Sequence, residues 1–176
     1  MDKLIPGTNI GFSNDTPFLE FKKTIELTNG ISLSQVCAIA NLDPMIIQNW
    51  VKRGYVARPI KKKYFEKHLA RILLINSLKE ALRIEEIGKL MKLVNGDVED
   101  ESDDLLSEAD LYSLFVKVVY YLNQNNEELT VKKVMKENGY DNKKLETALI
   151  VMINAYIASE HKKISKKNIK KLEKMN

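Results

Sequence analysis

Between Ser32 and Gly54 the chain carries two helix starts and two helix stops, which leaves room only for two short helices joined by a tight turn. Ser32 with Gln35 three residues on is a capping box, in which each side chain satisfies a backbone N–H that the first helical turn leaves open. Helix is expected from there to about Ala40. Asn41-Leu42-Asp43 reads as the turn, because Asn tolerates the left-handed backbone conformation. Asp43 then caps a second helix and Pro44 opens it. That helix is expected to stop at Gly54, after Lys52 and Arg53, whose charges suit a last turn. Two short helices with a three-residue break form a helix-turn-helix pattern.

Charge is sorted around this pattern. From Trp50 to Arg71 eight basic residues (Lys52, Arg53, Arg58, Lys61, Lys62, Lys63, Lys67 and Arg71) face only Glu66. From Asp97 to Asp110 there are eight acidic residues and no basic one, and from Lys162 to Lys174 seven lysines stand against Glu173. The net charge of +4 hides this segregation, which suits one segment to a polyanion. Hydrophobic residues at 44% and charged residues at 30% fit a globular chain rather than a disordered one.

The remaining elements follow from periodicity and stops. Residues 1–15 read as a loose arm, and Thr16-Pro17 as the start of a short helix running to about Thr28, with Gly30 as its stop. Phe18, Phe21, Ile25 and Leu27 are its candidates for docking. Pro59 forbids helix in the basic stretch from Gly54 to Lys63. Helix is expected to resume near Tyr64, on a stripe of Leu69, Ile72, Leu73, Ile75 and Leu78, and again from Ile84 to Val94. Residues 97–107 read as an acidic linker, solvated rather than folded over the basic face. Beyond it, helices are expected from Glu108 to Asn123, from Thr130 to Asn138, and from a cap at Asp141 onward. Leu145, Ala148, Leu149, Met152, Ala155 and Tyr156 make one stripe on the last helix; Ile150, Ile153 and Ile157 make a second, so it is expected to be buried on two sides. The chain divides accordingly into an arm and short helix (1–30), a helix-turn-helix unit (31–96), the linker, and a helical region with a basic tail (108–176). The fold class is all-α, mostly helical.

The run from Leu33 to Val56 resembles the start of MerR-type regulators. Those have an apolar helix, a turn, and a helix ending in basic residues and a glycine. Tyr64, the helix with Leu69, Ile75 and Leu78, and Glu85-Glu86-Ile87 extend the likeness over about Ile31 to Val94. Over a longer span the chain also resembles an uncharacterised bacterial MerR-like family, in which Asn49-Trp50 to Gly54 and Lys61-Lys62-Lys63-Tyr64 recur. The resemblance implies a winged helix-turn-helix, a dimer and sequence-specific binding of promoter DNA. The chain departs from it in three places, one of them around Leu82-Arg83, which replace the usual glycine before the last helix of the domain. Gln48-Asn49-Trp50 stands where those regulators have Arg-aromatic-aromatic, and the stretch from Gly54 to Tyr64 is about four residues shorter, so the wing is expected to be short. The C-terminal half does not resemble the sensor of the metal-responsive members.

In a helix-turn-helix the second helix enters the major groove. Val36, Cys37, Ile39, Leu42, Ile46, Ile47 and Trp50 or Val51 are then expected to face inward. Met45, Gln48, Asn49, Lys52 and Arg53 face outward, with side chains suited to reading adenine and guanine edges. Arg58, Lys61, Lys62, Lys63, Tyr64 and Arg71 are the expected phosphate contacts. His68 and His161 are expected on the surface, and Cys37, the single cysteine, in the core.

No enzyme constellation, metal set or cofactor motif is legible, the acidic run lacks the central glycine and terminal Glu of a calcium loop, and no bilayer span or secretory leader is visible. The reading is a cytoplasmic DNA-binding transcription regulator that pairs with double-stranded DNA and forms a homodimer through its C-terminal helices. An adaptor that keeps the fold but reads protein, and an excisionase-like DNA-bending protein, are the alternatives.

Overall fold

The computed structural model describes residues 4–12, 14–96, 98–99, 102, 105–122 and 126–175. Along these run α1 (Phe18–Leu27), α2 (Leu33–Ala40), α3 (Pro44–Lys52), α4 (Glu66–Leu78), α5 (Ile84–Asn95), α6 (Glu108–Tyr121), α7 (Glu127–Glu137) and α8 (Lys143–Leu172). The all-α expectation holds. Among the described residues the β pairing is confined to isolated antiparallel bridges: Leu4 with Gly11, Ile31 with Tyr64, and Ile60 with Lys63.

The local chemistry of the two short helices is the expected one. Ser32 Oγ accepts the Gln35 N–H at 3.3 Å, and Gln35 Oε1 accepts the Ser32 N–H at 2.8 Å. Asn41 ends α2 at φ 50° and ψ 53°, the left-handed region. Asp43 Oδ1 accepts the Met45 N–H at 2.8 Å and Pro44 opens α3. Elsewhere the caps shift by a few residues. Asn142, not Asp141, starts α8 by accepting the Leu145 N–H at 3.0 Å. Asn126 starts α7 ahead of the expected Thr130, through the Leu129 N–H at 3.2 Å. Helix resumes at Glu66 rather than near Tyr64, and α1 has no side-chain cap.

α4 lies at the centre. It packs most extensively on α6, and also on α8, α2, α1 and α5. Its stripe of Leu69, Ile72, Leu73, Leu74, Ile75 and Leu78 is wholly buried. The buried side chains of the N-terminal and C-terminal halves form one continuous cluster, so the units read on either side of residues 97–107 do not have separate cores. Most of the acidic run, Asp97, Asp100, Glu101, Asp103 and Asp104, lies outside the described residues.

The described residues of the arm are not loose. Ile5 is buried, and Tyr112 on α6 donates its hydroxyl to the Pro6 carbonyl at 2.7 Å. Asn76 on α4 donates to Gly7 O at 2.7 Å and to Ala40 O at 2.8 Å, so one amide ties the arm and the end of α2 to α4. Gly7 sits at φ 79°, and a Cβ there would run into the Leu73 carbonyl. The arm's own sequence carries no sign of this, because distant side chains hold it by its backbone carbonyls, which leaves no hydrophobic period.

α1 docks through Phe18 and Ile25, with the Phe18 ring edge-on to Tyr112 at 4.9 Å, while Leu27 stays exposed. In α8 the two apolar stripes are used within the chain: Leu145, Leu149, Met152 and Ile153 are buried where α8 meets α4, α5, α6 and α7. From His161 onward every described residue is exposed. At 1.5 Å per residue the 30-residue helix is about 45 Å long, and its distal part projects past the core.

Candidate nucleic-acid interface

α3 is held by two buried side chains, Ile47 and Trp50. Trp50 is internal, as its register predicts. Ile46 is not: it is 38% exposed and joins Met45, at 75%, on the outer face. Gln48, Asn49 and Lys52 are exposed, and with Asp43, Met45 and Ile46 they line a shallow surface concavity. Cys37 is half-buried, and burial followed by the charge of Asp43 pushes its thiol pKa up, which suits a packing residue better than a reactive thiol.

Arg53 is exposed but engaged. Its Nη2 donates to Glu85 Oε1 at 2.8 Å and to the Tyr55 hydroxyl at 3.3 Å, and the guanidinium lies 4.9 Å from the Tyr55 ring centroid. Glu85 stands in the first turn of α5, where its own backbone N–H and then Arg53 hold its carboxyl below the usual range. Tyr55 in turn leans on Gly88, where a Cβ would come within 2.7 Å of the ring. Tyr55, Glu85 and Gly88 thus set the end of α3, and nothing in the local sequence pattern singles them out.

The basic stretch closes on a two-residue turn. Ile60 and Lys63 exchange both backbone hydrogen bonds, at 3.0 and 2.9 Å, with Lys61 and Lys62 between them at φ 48° and 65°. Two successive positive φ angles make this a type I′ hairpin turn, a conformation that favours Asn and Gly. Two lysines there are strained by order of 1 kcal/mol each, and strain of this kind is retained where it serves a site. Both side chains point to solvent. Lys63 is also exposed, but its Nζ donates to Gly30 O at 3.2 Å. The adjoining pair Ile31–Tyr64, joined by hydrogen bonds of 2.9 and 2.8 Å, anchors the turn to the residue before α2.

Three residues expected on the surface are internal. Tyr64 is 4% exposed and packs edge-on to His68, which burial reserves for structure. Arg71 is 4% exposed, donates from Nη1 to Glu108 Oε1 at 2.6 Å and from Nε to Tyr55 O at 3.0 Å, and so cannot reach a phosphate. His68 is 1% exposed. Its Nδ1 accepts the Phe65 N–H at 2.9 Å, which assigns the ring proton to Nε2, and that N–H donates to Arg58 O at 3.0 Å. Burial, the largest influence, lowers its pKa below the ordinary value. The Arg58 backbone is held on its other side too, because its N–H donates to Glu99 Oε1 at 3.1 Å. At least this carboxylate of the acidic run therefore meets the basic stretch rather than solvent alone. The Arg58 side chain itself is exposed.

Among the described residues no group of three or more His, Cys, Asp or Glu side chains could hold a metal ion, and no helix is long and apolar enough to cross a membrane.

No solved structure matches the chain. Uncharacterized protein YkrK of Bacillus subtilis (strain 168) is 30% identical over 86 residues, which are 47% of this chain and 37% of that protein. The match thus spans little more than a third of the relative's length. A domain of unknown function, DUF1836, matches residues 19–115, and the chain belongs to that family.

Proposed function

We propose that the protein is a sequence-specific DNA-binding transcription regulator of winged helix-turn-helix type, with α3 as the reading helix and the Lys61–Lys62 turn as a minimal wing. The observation that carries this reading is the strained, unpaired Lys61–Lys62 tip beside a helix whose outer Gln48, Asn49 and Lys52 are uncovered. Gln and Asn can each pair bidentately with adenine, and lysine with guanine or phosphate. Arg58, Lys61 and Lys62 supply phosphate contacts, which give most of the affinity without specifying sequence. Arg53 joins them by exchanging the exposed Glu85 for a phosphate. In this reading the protein works as a homodimer in the cytoplasm. Because the proximal part of α8 is used within the chain, the second copy pairs along the exposed apolar side chains of its distal part.

The test is a mobility-shift titration of the full chain against genomic fragments over a salt series. Affinity is expected to fall steeply with salt, and binding that is absent or indifferent to salt overturns the reading. One observation favours a second reading, a protein-binding adaptor. Met45 and Ile46 expose apolar surface in the concavity on α3. On that reading, Lys61→Ala with Lys62→Ala leaves function unchanged and Met45→Ser abolishes it.

A further inference from the structure

The distal part of α8 is an arrangement that the reading face does not use. At about 100° per residue, Lys162, Lys163, Lys166, Lys167, Lys170 and Lys171 fall within one arc of about 180°, and Lys174 follows in the turn after α8 ends at Leu172. Ile164, Ile169 and Leu172 fall in the opposite arc, exposed by 43%, 56% and 62%. The lysine-bearing helix from Lys162 to Lys171 is roughly 14 Å long, somewhat under half a helical turn of DNA. From Lys162 to Lys174 the charge balance is seven lysines against Glu173.

The near end of this arc is fixed in place. Lys162 Nζ donates to the Glu80 backbone carbonyl at 2.8 Å, and Lys166 Nζ to Glu80 Oε2 at 2.9 Å. The Lys166 hydrogen bond is the main reason the Glu80 carboxyl sits below its usual range. Glu80 lies in the corner between α4 and α5. The same corner, five residues further on, supplies the Glu85 that holds Arg53 at the end of α3. One short segment therefore tethers both the basic end of α3 and the lysine arc of α8. Lys163 pairs with Glu160, whereas Lys167, Lys170, Lys171 and Lys174 have no ion-pair partner among the described residues.

We infer that this lysine arc is a second phosphate-binding element, which lies along the DNA backbone flanking the sequence read by α3. The inference rests on the DNA-binding reading and adds to it a partner surface more than a hundred residues away in sequence. A row of lysines on one face of a rigid helix matches a row of phosphates by charge and by length, and each phosphate neutralised releases condensed counterions. Such contacts carry no base information, so this surface adds affinity equally for every sequence. The opposite apolar arc stays free for the second copy.

The test uses the full chain with Lys163, Lys167, Lys170, Lys171 and Lys174 all changed to Gln, which keeps helix propensity and spares the two Glu80 contacts. Circular dichroism checks that helicity is unchanged. Affinity for selected and for random duplex is expected to fall by the same factor, about tenfold or more, with the salt slope reduced by roughly two to four. The corresponding five-Arg variant is expected to restore the slope. A wild-type protein that binds DNA steeply with salt, and a five-Gln variant with the same slope, overturns this inference and leaves the DNA reading standing. A wild-type protein that does not bind duplex DNA overturns both. Sedimentation with vesicles of 30% phosphatidylserine in phosphatidylcholine is the remaining arm. Lysine-dependent vesicle binding together with an unchanged DNA slope assigns the arc to lipid and also overturns the inference.

Discussion

α3 and α4 are neighbours in sequence and both carry basic residues, yet their surroundings are opposite. α4 buries ten of its thirteen residues, including Arg71 and His68. α3 buries two of nine. Arg71 on α4 is therefore part of the interior, satisfied by Glu108 and by a backbone carbonyl, and Lys52 on α3 and the lysines of the turn after it face water. Positive charge along the chain thus stands in two settings, buried bracing and open surface, and burial by a distant helix separates them.

Breaking the interior side is expected to have the largest effect. Arg71→Ala leaves Glu108 with a buried charge and is expected to cost about 3–5 kcal/mol of stability in a urea titration. An Arg71→Ala protein as stable as wild type would mean that α4 is not an internal brace. On the α3 side the expectation is reversed. Gln48→Ala and Asn49→Ala should each move stability by no more than about 0.5 kcal/mol. Each should weaken discrimination at one base pair by about 1–3 kcal/mol in competition binding.

The turn sharpens the comparison, because there stability and recognition pull apart. Lys61→Asn with Lys62→Gly suits a type I′ turn and is expected to raise stability by about 1–2 kcal/mol. On the proposed DNA-binding reading the same change is expected to lower the salt slope of DNA binding by about two. Stability and binding that move in the same direction would refute the strain argument.

The smallest effect is the pH dependence of His68. Its pKa is lower in the folded protein than in the unfolded chain, so the unfolded chain takes up more protons on acidification. The contribution of the neutral ring is present above the unfolded value of about 6.5 and is lost as pH falls from there through the folded value. Protonation also removes the acceptor for the Phe65 N–H. His68→Gln should flatten the stability profile below about pH 6.5. An unchanged slope would show that the loss has another source.

What could be read from sequence divides along the same line. Ser32, Gln35, Asn41, Asp43 and Pro44 were legible because caps and turns act on backbone atoms within four residues of themselves. The outward placement of Gln48, Asn49 and Lys52 followed from helical period alone. Arg71 and Tyr64 were misread because their partners are distant in sequence, Glu108 lying 37 residues from Arg71 and Ile31 pairing with Tyr64, and His68 because its nearby partners are backbone groups that side-chain patterns do not reveal. The two positive φ angles at Lys61 and Lys62 carry no sequence signal, since lysine is not a turn residue of that type. The two stripes on α8 were correctly read as burial on two sides. Sequence period did not show that the partner on those sides is the same chain, α4 through α7.

The tie from the arm to α4 has a practical corollary. Residues 19–115, the span of the family match, include neither Pro6 and Gly7, which Tyr112 and Asn76 hold, nor α8, which covers α4 from the other side. Excised alone, that span would have a dry helix open on two flanks. Clones trimmed to the family boundary are therefore poor material for crystallisation or binding work. Likewise, any recombination that moved this unit into another gene would have had to carry the leading dozen residues and a substitute for α8 along with it.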